Sequence, residues 1–491
     1  MKSIYQKTVL LCLIASMLLG TLASCGGGAT AETTPTDVQS DSTAETEETR
    51  LYVDDIGDDV KFNGDTVKFM WWAENNEFAE ELTGEVVNDA MYQRDLSVES
   101  RLNVDIVNIG ESYTWDTKDI YLDKIRSSVM SADGAYDVAS GQYATLPGLV
   151  AEGIFMNMQK LDHLDFSKPY WVQQLIEETS IDGKLYLATG DLTNRTINTV
   201  YCMLCNDTMR ENLGIEDLFT VVHDGRWTKD TINTMIAGVY GDTDGDGVKS
   251  AGDTFGLSIS SANHTYPFLN AFGLSYTTLD EKGYPALTFY NEKTVAAWEW
   301  MMDWCFTQQD SIYGGEGQSY FKVSDMFIEG RALFSVNTFS DVKKCVEDME
   351  DTFTILPMPK WDEEQAGYYT WLGESNTLFG VLVSTANQDA TAAAMEMMAA
   401  ESYRLVSPAI YEINMKTRYS SDNEMAQMFD LIREGVVFNF GLAYGFAMNT
   451  MNCFWKSNLN KNSNMSSDWA KKEASYKTAI DAFYAAVEQL D

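Results

Sequence analysis

The sequence is poor in the residues that build most catalytic centres. Three histidines, His163, His223 and His264, are scattered through 491 residues, which argues against a histidine-based metal site or a serine-type triad. Neither G-x-S-x-G, H-E-x-x-H nor a P-loop occurs, so the common signatures of hydrolases, metalloproteases and nucleotidases are missing. Beyond Cys25 there are five cysteines, Cys202, Cys205, Cys305, Cys345 and Cys453. An odd number spread so widely is no disulfide framework. Cys202 and Cys205 form a C-x-x-C, but within a stretch that reads as a strand, where residues three apart point to opposite faces; buried thiols are expected. Basic residues are outnumbered 34 to 74, for a formal charge of −40. Such a surface repels nucleic acid and anionic lipid headgroups, and suits a neutral ligand better than an anionic one. After the N-terminal segment no apolar run is long enough to span a bilayer.

The N-terminus does carry a short apolar run. Lys2 and Lys7 precede residues 9–19, a core too short to span, and Leu22-Ala23-Ser24-Cys25 follows. This resembles a lipobox, so residues 1–24 are expected to be a signal peptide and Cys25 the lipidated first residue of the mature chain. Acyl chains contribute about 0.8 kcal/mol per buried methylene, so two or more anchor stably where one does not. Residues 25–50 are rich in Gly, Thr, Ala, Ser and Glu with almost no bulky apolar side chain. Such a composition cannot repay the entropy of ordering, and a flexible tether is expected. Its reach, about 5–6 Å times the square root of residue number, is tens of ångströms.

In the body, strand and helix patterns alternate. Residues 67–72, 104–109 and 136–139 read as strands, and 84–102 and 119–130 as helices, the first with Val87, Met91, Val98 and Leu102 on one side. Alternation argues an α/β fold with parallel neighbours and a ligand crevice at the strands' carboxyl ends. Residues 183–189, 199–206, 331–337 and 377–383 read as further strands. The polar stretch 190–198 and the proline pair in 356–359 are the expected hinges. Tyr476, Ile480, Phe483, Val487 and Leu490 mark an amphipathic final helix packed on a lobe.

Several of these pieces, in order, resemble a known family. Gly84-Glu85-Val86-Val87-Asn88-Asp89-Ala90 leads to Val98-Glu99-Ser100-Arg101-Leu102-Asn103-Val104, then Tyr136-Asp137-Val138-Ala139-Ser140-Gly141. Gly183-Lys184-Leu185-Tyr186, Ile328-Glu329-Gly330-Arg331-Ala332-Leu333-Phe334 and Ile355-Leu356-Pro357-Met358-Pro359-Lys360 follow. The ordered set resembles the extracellular solute-binding proteins of ABC importers, of the type that serves sugars and oligosaccharides. The resemblance implies a periplasmic-binding-protein type 2 fold: two α/β lobes, joined by two or three crossing segments, closing on a ligand between them. Lobe 1 would be residues 51–190 plus 358–415 and lobe 2 residues 191–357 plus 416–491. It further implies a monomeric, non-enzymatic receptor on the outer face of the cell membrane, held there by lipid alone, that hands its solute to permease subunits. The alternatives are a receptor for a peptide or other polar solute, and a tethered carbohydrate hydrolase, since carboxylates and aromatics in a cleft serve binding and hydrolysis alike.

Two constellations carry chemistry. Residues 242–253 follow the calcium-loop pattern: Asp242, Asp244 and Asp246 at positions 1, 3 and 5, Gly247 for the sharp turn, the Val248 carbonyl, and Asp253 closing the shell. Aspartate in place of the usual final glutamate resembles dockerin-type loops, and Lys249 replaces the aliphatic residue that pairs EF-hands, so a solitary structural Ca²⁺ loop is expected. The second is aromatic. Twelve tryptophans offer flat apolar faces with a polar edge, which suit sugar rings. By position the expected cleft residues are Trp71, Trp72, Gln142, Asp191, Trp371, Tyr444 and Trp455.

Overall fold

The protein's structure is a computed structural model that describes residues 54–73, 77–315, 320–416, 423–438, 440–448, 454–455, 459 and 464–490. The expected signal peptide, Cys25 and the tether lie outside the described residues, as does Cys453.

The strands are β1 (Asp65–Trp72), β2 (Val104–Glu111), β3 (Val138–Gln142), β4 (Tyr201–Asn206), β5 (Phe255–Ile259), β6 (Thr277–Leu279), β7 (Pro285–Leu287), β8 (Ser311–Tyr313), β9 (Ala332–Thr338), β10 (Phe353–Leu356) and β11 (Thr377–Val381). They form two main sheets, β11-β3-β1-β2 and β10-β4-β9-β5-β8, and a β6-β7 hairpin. β1 runs parallel to both β2 and β3, with β11 antiparallel at the edge. In the second sheet β5 is parallel to β8 and β9, while β4 is antiparallel to β9 and β10. The expectation of two α/β units is thus met, each with its own sheet. Cys202 and Cys205 are buried free thiols inside β4, every residue of which is buried.

Helices cover both faces of the first sheet at β1, β3 and β11, which is why these strands bury consecutive residues, while the edge strand β2 is mostly open to solvent. Helix Val86–Leu102 turns Met91, Val98 and Leu102 inward. Against it and β1 packs helix Gln388–Glu401, in which every residue from Ala390 to Glu401 is buried. Its alanines allow close approach, and a helix apolar all round belongs in a core. Three polar residues, Thr391, Glu396 and Glu401, are buried there too. The Glu396 carboxylate accepts hydrogen bonds from Trp171 Nε1 (3.0 Å), the Asp165 amide (3.2 Å) and the Tyr170 hydroxyl.

The sheets are joined by a ribbon of three crossing segments. Tyr201 N donates to Trp371 O (3.2 Å), Gly373 N to Thr199 O (3.0 Å), Thr370 N to Gly435 O (2.7 Å) and Val437 N to Thr370 O (2.9 Å). The backbones approach closely here: a Cβ on Gly435 would lie 2.2 Å from Tyr368 O, so only glycine fits; the same holds at Gly190, upstream of the ribbon, where a Cβ would lie 2.0 Å from Tyr170 O. The expected hinge at 190–198 leads directly into this ribbon. The one at 356–359 does not. Residues 357–368 stay fastened to the second sheet's side, with Trp227 Nε1 donating to Pro357 O (2.8 Å), Gln365 Nε2 to Ala271 O and Tyr368 OH to Val222 O. The prolines end β10, and the crossing comes later, at 370–373.

Two further elements differ from expectation. Residues 183–189 form isolated bridges, Lys184 to Ile181 and Ala188 to Phe379, and join neither sheet as a strand. The final helix, Met465–Glu488, is not confined to one side. Its Trp469 packs on Phe289 and Phe454, near the second sheet, while its end meets the 3₁₀ stretch Leu146–Glu152 beside the first. There Lys184 Nζ donates to the carbonyls of Glu488 (3.0 Å) and Leu490. Among the described residues no helix is long and apolar enough to cross a membrane.

Burial pushes the Glu396 carboxyl up from 4.5 to about 7. The folded state therefore binds more protons than the unfolded chain between those values, so this group's stabilisation is complete below pH 4.5 and lost as pH rises through 7. Urea unfolding from pH 4.5 to 8 should show a decline of up to roughly 3 kcal/mol from this residue, and Glu396→Gln should flatten it.

Candidate functional site

The two sheets point the same edges at one another. The carboxyl ends of β3, β5 and β9, and the amino ends of the antiparallel β4 and β11, converge on a cavity of about 310 Å³. Gln142, the last residue of β3, and Ser375, just before β11, come from the first sheet. Tyr201 opens β4, Thr338 closes β9, and Asn263 follows β5, all from the second. The ribbon supplies Thr199, Trp371 and Gly373. Open α/β sheets bind ligands beyond the carboxyl ends of their strands, and here two sheets share that region.

Aromatic rings form one wall. Trp371 lies parallel to Tyr201, centroids 6.0 Å apart and planes 3° off, with Tyr266 tilted against it at 5.4 Å. His264 meets the Tyr201 ring edge-on, and its Nδ1 is 2.9 Å from Ser261 Oγ. Burial pushes its pKa down to about 4, so it is uncharged at neutral pH. Opposite charges sit at the rim. Arg195 donates from Nη2 to Ser375 Oγ (2.7 Å) and from Nε to Ser375 O (3.3 Å), and Glu374 adjoins them. Two buried polar atoms, Trp371 Nε1 and Asn263 Oδ1, have no hydrogen-bond partner.

Of the residues expected in the cleft, Gln142 and Trp371 line this cavity. Four are core residues instead. Trp71 and Trp72 are the last residues of β1, buried on its two covered faces; their indoles donate to Asn108 Oδ1 (2.7 Å) and Tyr113 O (3.0 Å). Tyr444 is packed on Phe440 and Phe483, its hydroxyl donating to Thr179 O (3.2 Å). Trp455 stands edge-on to Trp298 and donates to Thr265 Oγ1 (3.0 Å). Asp191 is buried at the start of the crossing, where it accepts from Arg433 Nη2 (3.0 Å). Arg195, Thr199, Asn263, Thr338 and Ser375 escaped the sequence reading because polar residues at strand ends look like any solvated turn.

No protein-family model matches the chain, and no curated protein matches its sequence. Solved structures do. UgpB from Mycobacterium tuberculosis, solved in complex with glycerophosphocholine, aligns with a TM-score of 0.55 at 12% identity, covering 85% of this chain and 98% of UgpB. The ABC substrate-binding protein Lmo0181 from Listeria monocytogenes, in complex with cycloalternan, aligns at 0.52 and 13%, covering 87% and 99%. The GacH receptor of Streptomyces glaucescens GLA.O, solved unliganded and with acarbose, aligns at 0.50 and 15%, covering 87% and 100%. The chain has the two-lobed fold of the solute-binding proteins. At such identities the likeness is one of fold, and it puts the shared sheet edges in the region between the lobes.

A separate acidic group lies on a loop of the second lobe. The side-chain oxygens of Asp242, Asp244 and Asp246 fall within 4.8 Å of one another and are exposed. Asp242 accepts from the amides of Gly245 (2.7 Å) and Gly247 (3.0 Å), both at φ 73°. Asp253 stands apart from the three. It is buried, and its oxygens accept from the amides of Thr243 (3.1 Å) and Ser250 (3.0 Å), knitting the loop shut. Lys249 Nζ reaches Gln308 O (2.6 Å).

The Asp191–Arg433 pair fastens the crossing to helix Asn423–Glu434, with Arg433 also over the Tyr403 ring at 5.5 Å. Asp191→Asn leaves that guanidinium without its countercharge and should cost about 1–2 kcal/mol. A double-mutant cycle with Arg433→Met, read by thermal unfolding, should return a non-additive coupling.

Proposed function

We propose that the protein is a membrane-tethered receptor that captures a sugar or oligosaccharide between its lobes and delivers it to an ABC importer. The observation that carries this reading is the cavity at the shared sheet edge, walled by Trp371 and Tyr201 and lined besides by hydroxyl and amide side chains with one arginine, Arg195, and one glutamate, Glu374. Flat aromatic faces stack on the C–H faces of sugar rings, and short polar side chains meet their hydroxyls. The acarbose and cycloalternan complexes of GacH and Lmo0181 support the same class of ligand. UgpB, in complex with glycerophosphocholine, keeps a second reading open, a non-sugar polar solute. Hydrolysis of a glycosidic bond uses two carboxyl groups roughly 5–9.5 Å apart, whereas Glu374 is the one carboxylate among the described residues lining this cavity. That favours binding over cleavage.

Lipidation at Cys25 would hold the receptor to the outer face of the membrane, and the segment 25–50 would give it reach. The loop at 242–253 would take Ca²⁺ as a structural ion. The donor set fits a hard cation: three clustered carboxylates, with the Val248 carbonyl available beside them. Asp253 would have to give up the Thr243 or Ser250 amide to join them, so a smaller protein shell completed by water is expected.

A ligand that binds only the folded state raises the melting temperature, by an amount set by its concentration over its Kd. A thermal-shift panel of mono- and oligosaccharides should yield a shift for one sugar class, with the sugar recovered intact; shortened products would favour the hydrolase. Chelator should lower the melting temperature and added CaCl₂ restore it, and Asp244→Ala should abolish that response without altering the sugar shift.

A further inference from the structure

Helix Glu292–Met302 sets one stripe of its surface, Val295, Trp298, Glu299 and Met302 at three- and four-residue spacing, against the start of the final helix. Between them lies a pocket of about 390 Å³ that shares no described residue with the cavity at the sheet edges. The π-helical turn Asp303–Thr307, which ends the first of these helices, brings Asp303 to the same pocket; π turns recur at functional sites. Val295, Met302 and Met465 make its wall apolar.

Three polar groups in this pocket are unused. Glu299 and Asp303 are exposed and four residues apart, and among the described residues neither carboxylate is bonded to a cation or a donor. Like charges at that spacing repel, which favours a cation between them. Trp298 is only 6% exposed, yet its indole nitrogen is reached by solvent, unlike the sealed one of Trp371, and no described acceptor is bonded to it. A donor so nearly buried is unfavourable until an acceptor meets it. The amino end of the 24-residue final helix adds the positive end of its dipole to the wall. An occupant must therefore bring a cation for the carboxylates, an acceptor for the indole and an apolar stem between the two.

We propose that this pocket binds a lysine residue of a peptide partner: its ammonium sits between Glu299 and Asp303, its methylenes lie on Val295, Met302 and Met465, and a main-chain carbonyl accepts from the Trp298 N–H. The site is independent of the sugar reading. A neutral solute would leave both carboxylates unpaired, and an alkylamine without a carbonyl would leave the indole unmet. The net charge of −40 draws a basic partner from a distance.

The test titrates the purified protein, ¹⁵N-labelled at its tryptophan indoles, with the peptide acetyl-Ala-Lys-Ala-amide. Its norleucine counterpart, which lacks the charge, and cadaverine, which lacks the carbonyl, are the comparisons. The lysine peptide should bind at least about tenfold tighter than either and should move the indole signal that Trp298→Phe removes. Glu299→Gln with Asp303→Asn, both on exposed side chains, should weaken it by about tenfold or more, and Trp298→Phe by about fivefold. Melting temperatures check the fold of each variant, and the charge variant decides alone if Trp298→Phe is unstable. Absence of binding at millimolar peptide, equal binding of the norleucine peptide or of cadaverine, or wild-type affinity in the charge variant would overturn the inference.

Discussion

The structure depends on three stretches of backbone lying side by side. Residues 199–201, 370–373 and 435–437 are hydrogen-bonded into one ribbon between the two sheets, and everything functional about the molecule is arranged around it. The ribbon brings the carboxyl ends of β3, β5 and β9 to a common edge, and its own Trp371 becomes the cavity wall. Its tightness is enforced by glycine: at 435 any side chain would collide with the Tyr368 carbonyl. A hinge built this way keeps its register while the few dihedrals at its ends absorb a change of angle.

The ribbon is not the sole link between the lobes. The final helix touches both sides, anchored by Trp469 near the second sheet and by Lys184 at its C-terminal carbonyls beside the first. A movement of one lobe against the other must pivot about that helix or break the lysine contacts. The Asp191–Arg433 pair adds a third tie, between the crossing and the helix that precedes its last segment.

Much of the fold was readable because it is written in local pattern. Residues 67–72 and 199–206 carry apolar runs and residues 104–109 an alternation of apolar and polar, and each became a strand within a residue or two of the expected bounds. The crossing at 370–373 was not readable. The prolines at 357 and 359 are a stronger punctuation than Thr370 or Gly373, yet it is long-range hydrogen bonds to Trp227 and Ala271 that hold 357–368 on the second lobe. The site was legible only at Gln142 and Trp371, which lie where a strand end or a crossing could be placed. Trp71 and Trp72 misled because a chemically suitable side chain and a topologically suitable one look the same in sequence; cover on both faces of β1 sent them to the core. Asn263 and Arg195 gave no signal, since their meaning lies in what faces them.

If the shared sheet edges close on a solute, as the proposed receptor function requires, the molecule must become more compact when that solute binds. Small-angle X-ray scattering of the protein, alone and with a saturating concentration of a sugar shown to bind it, measures that closure directly. A smaller radius of gyration is expected with the sugar bound; an unchanged radius at full occupancy would rule closure out.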